Sequence, residues 1–166
     1  MKVEPQSLRA AMARFPTGVT VVTALGPDGA AGATANAVAS LSLEPPLVLA
    51  CLDLGSRTLV AVEHANGFGV NVLGADQAAI ARRFSTKEPH PRKWEGVPWT
   101  ERAGGPMIDR ALIWLGCELD EVHQGGNHVI AVGSVLELEA REGTPLIFHQ
   151  GEYRGLDPEA SRRQAG

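Results

Sequence analysis

Residues 32–58 read GATANAVASLSLEPPLVLACLDLGSRT. From Gly32 to Leu43 this stretch carries no charge, yet it holds hydroxyls, one amide and many small side chains. A core strand would be more apolar, and a surface loop would carry charge. The composition points to backbone and short polar groups lying close to something flat and polar. Pro45-Pro46 then stops any helix, and Leu47–Leu52 runs on as an extended apolar strand. Ser56 and Thr58 stand at an expected helix start, where backbone N–H groups hold an anion such as phosphate.

Working outward, Val19–Ala24 is β-branched and reads as a strand. Gly26-Pro27-Asp28-Gly29 is a turn signal, so Ala30–Ala37 returns as a hairpin partner. Phe68–Leu73 reads as a strand after a short helix, Ser56–His64, closed by Asn66-Gly67. Ala111–Val122 and His128–Glu139 are long extended runs joined by Gln124-Gly125-Gly126-Asn127. Thr144–His149 is the last strand, continued at Gly151-Glu152-Tyr153. Helices are expected at Pro5–Arg14, with Leu8, Met12 and Phe15 near one face, and from an Asp76 cap to Phe84. Ser85–Glu95 reads as a polar loop and candidate lid, and Val97–Glu101 as a short edge strand. Residues 157–166 read as a polar tail. Six to eight strands with inserted helices and no repeating βαβ alternation predict a mainly β single domain over 1–166, read as a closed antiparallel barrel.

The 166 residues suffice for one sizeable core. The net charge of −4 gives no basic surface for nucleic acid. No apolar run approaches the roughly 18 residues of a membrane span, and the N-terminus lacks a signal-peptide core, so a cytoplasmic location is expected. Cys51 and Cys117 lie in apolar runs and read as buried free thiols. The five histidines form no metal-ligand pattern, and neither a nucleophile motif nor a GxGxxG or Walker loop is present. Trp114 reads as buried within its strand, with Trp94 and Trp99 as core or interface residues.

Five segments together resemble the short-chain flavin reductases, the split-barrel flavoproteins: FPTGVTVVTA (Phe15–Ala24), Gly32–Leu52, FGVNVL (Phe68–Leu73), GGNHVIAVGSV (Gly125–Val135) and PLIFHQGEYRGL (Pro145–Leu156). The resemblance spans about residues 8–156 in order. It implies an FMN-binding split β-barrel with NAD(P)H:flavin oxidoreductase activity. Reduced FMN or FAD would be supplied to a partner flavin-dependent monooxygenase, and the protein would form a homodimer. It further implies that Thr34, Ala35, Asn36 and Ala37 run along the isoalloxazine ring. Cys51, Leu52, Ser56, Arg57 and Thr58 would take the ribityl chain and phosphate. Ser40 and Ser42, read as sharing one strand side, would face the ribityl chain, and Phe84 and Ser85 would lie by the phosphate. His128 and Tyr153 would line the nicotinamide site, with His128 positioning the nicotinamide of NADH or NADPH. The family commonly reads Gly-Asp-His where this chain has Gly126-Asn127-His128, which removes a carboxylate beside the histidine.

The resemblance leaves FMN against FAD and NADH against NADPH open. Room for an adenylate is expected beside Ser85–Glu95. Arg82, Arg83, Lys87, Arg92 and Lys93 could supply charge for the 2′-phosphate of NADPH, but read more readily as a solvated helix face and loop. A flavin carrier or sensor without turnover, or a reductase of a small organic acceptor with tightly held flavin, are the alternatives.

Overall fold

A computed structural model describes residues 2–156; the expected tail at 157–166 lies outside the described residues. The quoted stretch decides the architecture. β2 (Thr20–Gly26) and β3 (Gly29–Ala35) form the first hairpin, and β4 (Val38–Leu43) and β5 (Pro46–Asp53) the second. β6 (Gly67–Val72), β9 (Ile113–Gly125) and β10 (His128–Ala140) complete a seven-stranded sheet in the order β3-β2-β6-β9-β10-β5-β4. β3 and β4 are therefore opposite edges, although only Asn36 and Ala37 separate them in sequence. Laid flat, seven strands about 4.8 Å apart would hold those edges about 29 Å apart. The chain from Ala35 to Val38 spans at most about 11 Å. The sheet must curl until its edges converge at that corner. The edges do not pair with each other, so the barrel is split rather than closed, which corrects the closed barrel expected from strand count.

Both faces of β2 are covered, which explains its unbroken apolar run. Val22 and Ala24 pack with Phe68, Val70, Cys117, Ala131, Ala50 and Leu52, and with Leu59 and Val62 of α2 (Arg57–Ala65). Val19 and Val21 pack on the other side with Leu73, and with Ala81 and Phe84 of α3 (Ala78–Phe84). Trp94 of α4 (His90–Trp94) joins this second cluster. Asn71 is fully buried between the layers. Its Oδ1 accepts the Ile108 N–H at 2.7 Å, and its Nδ2 lies 3.2 Å from Val21 O, Thr23 Oγ1 and Pro106 O. That satisfied network fastens a small hairpin, β7 (Trp99–Arg102) and β8 (Gly105–Ile108), to the sheet. β1 (Thr17–Gly18), β11 (Leu146–His149) and β12 (Glu152–Gly155) form a third sheet.

Several expectations shift. β4, expected only through the strand side given to Ser40 and Ser42, is a strand of its own, and the described residues hold twelve in all. Asp76 does not cap a helix; it sits in a 3-10 turn, Ala75–Gln77, and pairs with Arg110 at 2.9 Å. Gln77 Oε1 instead accepts the Gly74 N–H at 3.0 Å. The Ser85–Glu95 segment is no detached lid, because its second half folds as α4 and buries Lys93 and Trp94. α1 (Pro5–Met12) forms, but none of its residues is buried. Both cysteines are free, with Cys51 half-buried and Cys117 buried, its thiol pushed up to about 12 by burial. Trp114 is buried as expected, and Trp99 is partly exposed.

Gly133 on β10 shows how tight the packing is. A Cβ there would meet Phe68 Cζ at 2.6 Å and Cys117 Cβ at 2.8 Å. Gly133→Ala is expected to destabilise by about 1–3 kcal/mol through overpacking, read as a lower urea midpoint with an unchanged slope.

Candidate functional site

The converging edges make a corner of short polar groups. Asn36 and Ala37 are exposed and irregular, and Ala37 O accepts the Cys51 N–H at 2.9 Å, tying the linker to β5. The Thr34 hydroxyl donates to Ala81 O at 2.7 Å, which fixes β3 against α3. The Ala35 carbonyl accepts from Thr20 Oγ1. The Asn36 side chain is thus left facing outward beside uncharged backbone.

β4 and β5 continue the corner. Ser40 pairs with Val48 and Ser42 with Leu47, so Leu41 is an extra, bulged residue. The bulge breaks strict alternation, and the expected shared side of Ser40 and Ser42 does not follow from their spacing. Ser42 Oγ accepts the Glu44 N–H at 3.2 Å. Cys51 is half-buried while Leu52 points into the core, as alternation along β5 requires. Leu52 therefore offers its backbone, not its side chain, to any ligand.

Ser56 caps α2, its Oγ accepting the Thr58 N–H at 3.1 Å. The Thr58 hydroxyl is sealed inside with no partner, so it does not open to the surface. Arg57 donates to Lys87 O at 3.0 Å and Glu88 O at 2.8 Å. Its guanidinium pins the segment after α3 and keeps its charge beside the start of α2.

Past α3 the site turns basic. Phe84 is core, packed edge-on to Trp94 at 4.7 Å and against Gly32, where a Cβ would meet it at 2.7 Å. Ser85 is exposed, and its hydroxyl donates to Arg82 O at 2.7 Å. Tyr153 comes to this end of the site: Arg82 lies 5.2 Å over its ring and Phe148 is 5.3 Å away. Burial raises the Tyr153 hydroxyl, with Arg82 and Ser85 acting against it. The sequence placed Tyr153 with His128, but its ring contacts lie by α3. His128 sits at the exposed tip of the β9–β10 hairpin, its Nδ1 2.9 Å from Asn127 Oδ1.

A pocket of about 420 Å³ opens beside Ser85, lined by Arg82, Arg83, Thr86, Glu88, Arg92 and Lys93. Lys93 is only 5% exposed, and its Nζ reaches the Gly32 carbonyl at 3.4 Å and the Phe84 carbonyl at 3.2 Å. No carboxylate pairs with it among the described residues, and burial, with Arg57 nearby, pulls its pKa down. The expected solvated face is wrong for this lysine. Its polar neighbours in sequence hid it, because only the packing of Trp94 carries it inward. His90 is also held below its ordinary pKa, first by burial and then by Lys93 and Arg57. Both its ring nitrogens are buried without a hydrogen bond of ordinary geometry, although the Arg57 backbone lies close enough to act weakly against the depression. Among the described residues no cluster of histidine, cysteine or acidic groups suits a metal.

A split barrel with an uncharged polar corner beside a basic pocket has the chemistry to suit a flat polar ring with an anionic tail. The Flavin reductase like domain family matches residues 12–157, and the chain belongs to it. The reductase subunit HsaB of a flavin-dependent monooxygenase from Rhodococcus jostii is 39% identical over 159 residues, covering 95% of this chain and 80% of that protein. An NADH-dependent flavin reductase from a Rhodococcus species is 34% identical over 159 residues, covering 94% of this chain and 89% of that protein. The solved structure of the Streptomyces globisporus NADH:FAD oxidoreductase SgcE6, in complex with NAD and FAD fragments, aligns with a TM-score of 0.85 at 34% identity. That alignment covers 96% of this chain and 99% of the other.

The His90 environment sets a pH dependence. Its folded pKa is depressed, so below about pH 6.5 the unfolded chain takes up the proton first and stability falls with pH. His90→Phe, which keeps the ring and removes the unpartnered nitrogens, is expected to flatten that acid limb. Thermal midpoints between neutral and mildly acidic pH measure it.

Proposed function

We propose that this protein is an NADH-dependent flavin reductase that supplies reduced flavin to a partner monooxygenase. The observation that carries the reading is the juxtaposition of the uncharged Asn36-Ala37 corner with the basic pocket around buried Lys93. A flavin ring presents carbonyl and N–H groups along one edge, and short exposed amide and backbone groups match it. An anionic phosphate end matches Arg82, Arg83, Arg92 and Lys93, whose charges exceed the single Glu88 carboxylate. Family membership over residues 12–157 and the NADH-dependent relatives support the activity.

When bound, the flavin accepts a hydride from the nicotinamide, so the protein needs no nucleophile of its own. The chain's residues bind and orient. Asn36 and the Ala35 and Ala37 backbone hold the ring edge. Ser56, Ser85 and the basic pocket hold the phosphate end, and Arg57 keeps the intervening segment in place. His128, its Nδ1 facing Asn127, presents Nε2 to the nicotinamide and positions it.

The chain works as a homodimer in this reading. The support is apolar surface left uncovered: Leu8, Met12 and Phe15 at the N-terminus, Leu41 and Leu43 on β4, Leu136 and Leu138 on β10. β4, β5 and β10 are neighbours, with Ser42 opposite Leu47 and Leu47 opposite Ser134, so the last four leucines share one end of the sheet.

NADH oxidation, followed by nicotinamide absorbance with and without added FMN or FAD, tests the activity. Turnover that depends on free flavin is expected; flavin binding without turnover would point to a carrier. Asn36→Ala is expected to weaken flavin binding by roughly tenfold with an unchanged thermal midpoint, because the side chain is exposed. Equal affinity would remove Asn36 from the site. Leu43→Asp with Leu138→Asp is expected to yield monomer in sedimentation velocity.

A further inference from the structure

We infer that Asp53 supplies the negative charge of the nicotinamide pocket. The inference rests on the placement of the nicotinamide beside His128 in the proposed function. Asp53 ends β5 directly opposite His128 at the start of β10. The Leu54 N–H donates to Asn127 O at 3.1 Å. That bond makes Leu54 and Asn127 the hydrogen-bonded pair of the ladder, so Asp53 and His128 form the adjoining non-hydrogen-bonded pair. In such a pair the two side chains project from the same face, with Cβ atoms roughly 4.5–5.5 Å apart. Both residues are exposed.

Asp53 also stands between the two halves of the site. Cys51 and Leu52 precede it, and Ser56 follows after a turn in which Asp53 Oδ1 accepts the Gly55 N–H at 2.7 Å. That bond turns the carboxylate without neutralising it. The hairpin tip opposite, Gln124 to Asn127, carries no charge. Asn127 presents a neutral amide oxygen to His128 Nδ1. Asp53 is thus the one carboxylate in the cross-strand pair at this tip.

The chemistry calls for that charge. Hydride departure from the nicotinamide breaks the C4–H bond and carries both electrons and one proton to the flavin. The nicotinamide ring is left with a full positive charge. A carboxylate on the His128 face stabilises the cationic ring, and the charge developing toward it, more than neutral NADH. It also raises affinity for NAD⁺ relative to NADH, an equilibrium property that needs no turnover.

Asp53→Asn is the decisive variant. It keeps an oxygen to accept the Gly55 N–H and removes only the charge. Titration of the flavin-loaded protein with NAD⁺, and titration with NADH of the same protein with its flavin already reduced, read the binding side without turnover, and anaerobic stopped-flow reduction reads the rate. Asp53→Asn is expected to weaken NAD⁺ binding by roughly fivefold while NADH binding changes less than about twofold, and to slow flavin reduction by a similar roughly fivefold. Asn127→Asp in the same background returns a carboxylate to the tip and is expected to recover at least half of both losses. An unchanged NAD⁺ to NADH affinity ratio, or a loss that Asn127→Asp does not recover, overturns the inference. His128→Ala run in parallel separates the two levels. If it impairs NADH use while Asp53→Asn is silent, the nicotinamide placement stands and Asp53 falls. If neither variant matters, the placement itself fails.

Discussion

The structure depends on a covalent limit: two residues, Asn36 and Ala37, must join the opposite edges of a seven-stranded sheet. A chain that short cannot bridge a flat sheet, so the sheet curls and its edges meet at one corner. The curl encloses the cluster of Val22, Phe68, Val70, Cys117 and Ala131 and leaves the outer face of β2 for α3 and α4. The same limit explains the small uncharged residues there. Large side chains would hold the edges apart, and charged ones would lie between edges with no partner.

The corner's position then sets what surrounds it. Thr34 is bonded to the α3 carbonyl of Ala81, so the end of α3 lies beside the corner. Lys93 spans from the Gly32 carbonyl on β3 to the Phe84 carbonyl on α3, holding a charge under the pocket that its neighbours open to solvent. A buried ammonium without a carboxylate partner is costly in isolation. In the proposed reading an anionic ligand end would offset that cost, coupling binding to local stability at this point. The β9–β10 hairpin brings His128 to the end of β5, where the strand leads into the Ser56 cap. In the proposed reading, a few strand ends would set the ring, phosphate and nicotinamide positions.

Much of this was legible in the sequence. The β-branched run at Val19–Ala24, the two long strands ending in Glu139 and the Gly126-Asn127 turn read directly, because local propensity and packing agree there. The turn carries Gly126 at a φ of 66° in its first central position, as a two-residue hairpin of the II′ kind requires. β4 was legible only as the strand side given to Ser40 and Ser42, without bounds, because its residues alternate weakly and one of them, Leu41, is bulged. Lys93 escaped because a lysine in a polar, proline-containing segment looks solvated until Trp94 is seen to be core. Asp53 carries no sequence signal at all; only the register across β5 and β10 sets it against His128. The split of the barrel was likewise a matter of strand order, which periodicity does not report.

A crystal structure of the protein soaked with FAD shows where the ligand lies. The ring's polar edge is expected against Asn36 and the Ala35–Ala37 backbone, with phosphate oxygens within hydrogen-bond reach of Ser85 and the Arg82–Lys93 pocket. A ring lying elsewhere, for example under Pro89–Pro91 beside His90, with the Asn36 corner untouched, would contradict that placement.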